Sequence, residues 1–147
     1  MASSTYTGSQ PRTATGARVV GGSPGEGPGP DIMAADTLEG DSVVNPEGDD
    51  LGKIKEIMID VASGQVAYAV LSSGGLLGIG DKLFAIPWSA LTLDASRKCF
   101  VLDVSKERLN EAPGFDKDHW PSMADHTWAS QIHAYYGQRN YWQPPEV

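Results

Sequence analysis

Histidines recur at intervals of seven in the last third of the chain, as His119, His126 and His133, with Asp116, Asp118 and Asp125 beside them. Imidazole and carboxylate groups bind divalent metals and carry protons, so chemistry is sought here first. The spacing argues against it. On a helix, His126 and His133 lie two turns apart, about 10 Å, too far to share one ion. No cysteine and no i, i+4 histidine accompanies them. They are read as ordinary surface histidines, and no metal is assigned.

The run Gly74-Gly75-Leu76-Leu77-Gly78-Ile79-Gly80 invites a phosphate-loop reading. A dinucleotide loop leads into a helix whose N-terminus holds the pyrophosphate, and a Walker loop ends in Gly-Lys-Ser/Thr. Here the run leads to Asp81-Lys82 and an apolar strand pattern, so it is expected to be a flexible connection. Leu76, Leu77 and Ile79 are apolar for a loop and form a candidate contact patch. Glu47, Asp49 and Asp50 lack the twelve-position ligand pattern of an EF-hand and read as a solvated turn. Ser72 and Ser73 stand outside any Gly-x-Ser-x-Gly elbow. Cys99 lies in a strand pattern and is expected to be buried or half-buried and structural. No catalytic residue and no cofactor follows from these residues, and the chain is expected not to be an enzyme.

Aromatic side chains are the strongest signal. Seven of the twelve fall after residue 112: Phe115, Trp120, Trp128, Tyr135, Tyr136, Tyr141 and Trp142. Rings of this size are costly to leave in water. They are expected to pack on the rest of the chain, to form an interface, or both, since Trp and Tyr are enriched at protein contacts. The candidate interaction residues are Leu76, Leu77, Ile79, Trp88, Trp120, Trp128, Tyr135, Tyr136 and Trp142.

The formal charge of −8 has the wrong sign for binding phosphates by counterion release. It is concentrated in residues 36 to 112, where thirteen acidic side chains face seven basic ones. Nucleic acid and anionic membrane are therefore not expected as partners. One cysteine permits no intrachain disulfide, and no stretch approaches the ~20 apolar residues of a membrane span. The N-terminus lacks the basic and apolar runs of a signal peptide. A cytoplasmic location is the expectation.

Residues 1 to 34 are rich in Gly, Pro, Ser and Thr and are expected to form a disordered arm. A short strand follows at Asp41 to Val44, then the turn formers Asn45 to Asp50. From Gly52 to Val61 the apolar residues Ile57, Ile59 and Val61 alternate with Glu56, Met58 and Asp60, the period of a half-buried strand. Ile54 has the opposite parity, as a bulge near Lys55 would produce. Ala62-Ser63-Gly64 turns this strand into Gln65 to Ser72, whose two apolar faces predict a covered strand. Lys82 to Trp88 reads as a strand stopped by Pro87, and Lys98 to Val104 as a further strand. A helix is predicted from about Met123 to Tyr136. Five or six short strands imply a small barrel or sandwich.

The order Leu51-Gly52-Lys53-Ile54, Asp60-Val61-Ala62-Ser63-Gly64-Gln65-Val66, Ala69-Val70-Leu71-Ser72 and Phe84-Ala85-Ile86-Pro87-Trp88-Ser89-Ala90-Leu91 resembles the PRC-barrel family. Arg108 to Phe115, Trp120-Pro121 and Tyr135-Tyr136-Gly137 resemble its stand-alone bacterial members with an aromatic C-terminal extension. The resemblance implies a mainly β fold, a small PRC-type β-barrel in residues 36–112, with residues 113–147 as a helical, aromatic extension. It also implies a role in protein contact. The expected function is a non-enzymatic interaction module that binds a protein or itself as a homodimer. The alternative is a small-ligand or metal-binding protein that uses the barrel mouth and the Gly74–Gly80 loop.

Overall fold

A computed structural model of the chain describes residues 16–23, 25, 27–73 and 82–143. Its strands are β1 (Arg18–Val20), β2 (Ser42–Val44), β3 (Asp50–Asp60), β4 (Gln65–Ser72), β5 (Leu83–Pro87), β6 (Leu91–Asp94) and β7 (Cys99–Leu102). Among the described residues, three α-helices accompany them: α1 (Ala35–Leu38), α2 (Lys106–Asn110) and α3 (His126–Tyr135). The strands form one sheet in the order β1-β6-β7-β2-β3-β4-β5. Two of the pairings, β1 with β6 and β2 with β7, are parallel, and the others are antiparallel.

The sheet curls around one interior. Val43, Ile54, Leu71, Phe84, Leu91 and Phe100, from six different strands, belong to a single buried cluster. The result is a mainly β, barrel-like fold whose sheet stays open, with β1 and β5 as its end strands. Phe115 partly covers the β5 edge: it exchanges two 2.8 Å backbone hydrogen bonds with Leu83.

The β3–β4 hairpin forms where the sequence predicts it. Gly64 turns it at φ +80°, and its N–H donates to the Asp60 carbonyl over 2.8 Å. The ladder shifts register between Ile54 and Glu56, which places the expected bulge at Lys55 and buries Ile54. Gly52 has φ +137°, and a Cβ there would lie 2.1 Å from the Ser72 carbonyl oxygen. Glycine is required at this crossing of β3 over β4.

Three expectations are corrected. Ile57 is half-buried, but Ile59 is 52% exposed and Val61 91%, so the three do not line one buried face. A second register shift, between Met58 and Ile59, leaves Ala67 unpaired in the β3–β4 ladder; Met58 faces the Tyr68 cluster on the outer side of the sheet, and the hairpin end runs out beyond the core. Residues 18–20 were expected within a disordered arm and instead form β1. The outer edge of β6 offers unpaired backbone groups, and Val19 packs on the core when it pairs there. Finally, seven strands stand among the described residues where five or six are expected, because β1 and the four-residue β6 are too short to show a period.

Helix α3 lies within the predicted span. Asp125 caps it, accepting from the Thr127 N–H at 2.9 Å, and Gly137 at φ +70° ends it. Ala129, Ile132 and His133 share one face by their i, i+3, i+4 spacing. Ala129 and Ile132 pack with Ala67, Tyr68 and Ala85 in a second core cluster on the outer side of β4 and β5. The covered strand predicted for Gln65 to Ser72 is therefore buried from Ala67 to Leu71, by the barrel interior on one side and α3 on the other.

Candidate functional site

The extension meets the barrel in an aromatic seam centred on Tyr68. Around its ring stand Trp128 at 5.5 Å, His133 at 5.4 Å and Tyr141 at 6.2 Å between centroids, all edge-on. Trp142 stacks flat on His126 at 4.0 Å and meets His133 edge-on at 5.8 Å. The Tyr141 hydroxyl donates to Asp60 over 2.6 Å. That bond holds the Asp60 carboxyl below its ordinary value, while burial and the adjacent carboxylate push Tyr141 up to about 12.

His133 was expected at the surface and is 1% exposed, because it shares the inward face of α3 with Ala129 and Ile132. Its Nδ1–H donates to the Ala129 carbonyl at 2.8 Å, which assigns the tautomer and leaves Nε2 as a buried acceptor without a partner among the described residues. The Tyr68 hydroxyl is likewise buried and, among the described residues, unpartnered. Burial pushes His133 down and Tyr68 up, so both stay neutral near pH 7. His126 and His133 share Trp142 as a neighbour, yet the described residues bring together no three His, Cys, Asp or Glu side chains suited to a metal ion.

A second feature lies where α2 and the end of α3 meet the barrel. The Arg108 guanidinium sits 4.2 Å from the centre of the Tyr135 ring and donates to the Tyr135 carbonyl at 2.6 Å. The Tyr135 hydroxyl donates back to the Arg108 carbonyl at 2.5 Å. Ser105 starts α2 by accepting from the Arg108 N–H, so backbone and side chain are both fixed. A groove of about 390 Å³ opens beside this pair, lined among others by Ala90, Leu102, Asp103, Arg108, Tyr135 and Tyr136. The Tyr136 hydroxyl is buried without a partner among the described residues, and burial raises its pKa.

The sequence candidates fall into four places. Tyr135 and Tyr136 line the groove. Trp128 and Trp142 lie in the seam, half-buried. Trp88 packs on Phe100 at 5.7 Å as part of the main core. Trp120 is 39% exposed, rests on Phe115 at 5.0 Å and donates Nε1–H to the Lys117 carbonyl. Leu76, Leu77 and Ile79, with the Gly74–Gly80 loop, lie outside the described residues. Sequence reasoning missed Arg108, Asp60 and Tyr68 as partners of the extension. The Ser105-x-x-Arg108 start of α2 marks a helix, but nothing local pairs residue 108 with residue 135.

Among the described residues, no helix is long and apolar enough to cross a membrane. No curated protein matches the sequence. A solved structure of a protein assigned to 16S ribosomal RNA processing, RimM from Pseudomonas aeruginosa, is similar at 18% identity with a TM-score of 0.36. The similarity covers 51% of this chain and 45% of that one, so the chain spans less than half of its length. The model of the PRC-barrel domain matches residues 30–109, more than half of the sequence and all seven strands except β1. The chain belongs to the PRC-barrel domain family.

Proposed function

We propose that the chain is a non-catalytic protein-interaction module of the cytoplasm, with a partner seated in the groove between α2, the end of α3 and the barrel. The observation that carries this reading is the reciprocal lock of Arg108 and Tyr135. Tyr and Arg dominate the binding energy of many protein interfaces. Here each already holds the other in place, so docking would immobilise little additional side-chain freedom. One guanidinium nitrogen donates to the Tyr135 carbonyl, and the rest of the fork makes no hydrogen bond among the described residues. Those donors suit a carboxylate on the partner. Membership of a family whose shared property is protein contact supports the same reading.

Self-association as a homodimer is the form of the proposal to test first. Ala134 is exposed and lines the groove, so Ala134→Arg fills it without removing a core group. Light scattering should give a dimer mass for the wild type and a monomer mass for the variant, with the same thermal melt. Should the wild type be monomeric, a partner co-purified from the native cell and lost with Ala134→Arg would support the groove with a different occupant. Equal masses and equal co-purified proteins for both chains would overturn it.

A further inference from the structure

A second cavity, of about 360 Å³, lies where the segment after β1, helix α1 and the β6–β7 hairpin meet. It shares no lining residue with the groove, so it does not depend on the docking proposal. Its volume is within the range of small-molecule sites, ~300 to 1,000 Å³. Pro30, Met33 and Leu93 supply apolar wall, and Thr37, Asp41 and Lys98 supply polar groups.

The walls are anchored. The Gly22 N–H donates to Ser96 Oγ at 2.7 Å and the Ala95 N–H to the Val20 carbonyl at 2.8 Å, which ties the N-terminal segment to the hairpin. Asp41 is held through its backbone: its N–H donates to Leu38, and its carbonyl accepts from Ile54 at 3.0 Å. Lys98 stands at φ +56°, a left-handed position unusual for a residue with a side chain, and its N–H donates to the Asp94 carbonyl at 2.7 Å.

The two charges are complementary and do not meet. Asp41 is half-buried and, among the described residues, its carboxylate makes no hydrogen bond and no ion pair within 4.0 Å. Partial burial raises its pKa, and the field of Lys98 acts in the opposite direction. A half-buried carboxylate and an ammonium lining one cavity, with apolar wall beside them, match a molecule that carries both opposite charges and a hydrocarbon group.

We propose that this cavity binds a small zwitterion, an α-amino acid with an apolar side chain, its ammonium on Asp41, its carboxylate on Lys98 and its side chain against Met33 and Leu93. A lone cation would leave Lys98 facing it, and a lone anion would leave Asp41 facing it.

The test is calorimetry and amide-resolved NMR on the full chain with L-leucine as the probe, beside leucine methyl ester, which keeps only the ammonium, and N-acetyl-leucine, which keeps only the carboxylate. Saturable leucine binding is expected, with shifts at Thr37, Asp41 and Lys98 and each analogue weaker by about tenfold or more. Asp41→Asn and Lys98→Gln should each weaken leucine by a similar factor, with the melt of each variant checking its fold. Lys98 is exposed, so its variant keeps the test decisive if Asp41→Asn fails to fold. No saturable response at about 10 mM leucine, equal binding of either analogue, or unchanged binding by Lys98→Gln would overturn the proposal.

Discussion

Tyr141 donates its hydroxyl to the carboxylate of Asp60 across 2.6 Å, joining residues 81 positions apart. This contact ties the end of the aromatic extension to the exposed tip of the β3–β4 hairpin. It is a direct hydrogen bond between an ionised side chain of the barrel and an aromatic residue of the extension.

Because this bond depresses the Asp60 pKa below 3.8, its contribution is present above the unfolded value and disappears as pH falls through the folded value. Tyr141→Phe should therefore lower the melting temperature at pH 7 and have a smaller effect near pH 3. Melts of both chains at the two pH values test this, with an NMR titration that should find Asp60 closer to its ordinary value in the variant. An equal difference at both pH values would mean that the ring's packing, and not its hydroxyl, matters.

His133 titrates with the opposite chemistry and the same direction. Its folded pKa lies below 6.5, so the unfolded chain binds the proton more readily and stability falls as pH drops below 6.5 toward the folded value. The groups facing it are the rings of Tyr68, Tyr141 and Trp142, none of which offers a negative charge to an imidazolium. His133→Leu should flatten the stability profile across this window, measured by urea unfolding from pH 7.5 to 4.5. A profile as steep as the wild type's would assign the acid loss to other groups.

Ile132 is buried at the centre of the contact between α3 and the sheet. Ile132→Ala is expected to cost about 2 to 5 kcal/mol in urea denaturation, as for other large-to-small changes in a core. A cost below about 0.5 kcal/mol, the level of a surface substitution, would mean that α3 rests on the barrel without contributing to its stability.

Two glycines separate backbone strain from steric exclusion. Gly64 has φ +80° with open space around its Cβ position, so Gly64→Ala should cost about 1 to 2 kcal/mol. Gly52 combines φ +137° with a Cβ position 2.1 Å from the Ser72 carbonyl oxygen. Gly52→Ala should cost clearly more, above about 3 kcal/mol, or prevent folding. Denaturation of the two variants side by side checks the order.

Local patterning determined much of the fold. The alternation and turn chemistry around Gly64 specify the β3–β4 hairpin, the parity change at Ile54 marks the bulge at Lys55, Pro87 ends β5, and the span of α3 follows from the residues around it. These features depend on neighbours a few residues apart, where backbone conformation and side-chain period act directly. The arrangement of Leu51 to Leu91 also carried the family resemblance, which rests on the order of several such local signals.

Tertiary structure decided the rest. Arg18 to Val20 becomes a strand because β6 has a free edge, which no property of those three residues announces. Ile59 and Val61 are exposed because the hairpin end runs out beyond the core, although the sequence there alternates as a buried strand would. His133 lies inside because the side of α3 that meets the sheet is chosen by the shape of β4 and β5, not by the polarity of an imidazole. Arg108 and Tyr135 are 27 positions apart, and Asp41 and Lys98 farther still. Pairs like these exist only after the chain has closed on itself, since their partners are set by the packing of distant elements and leave no local period to read.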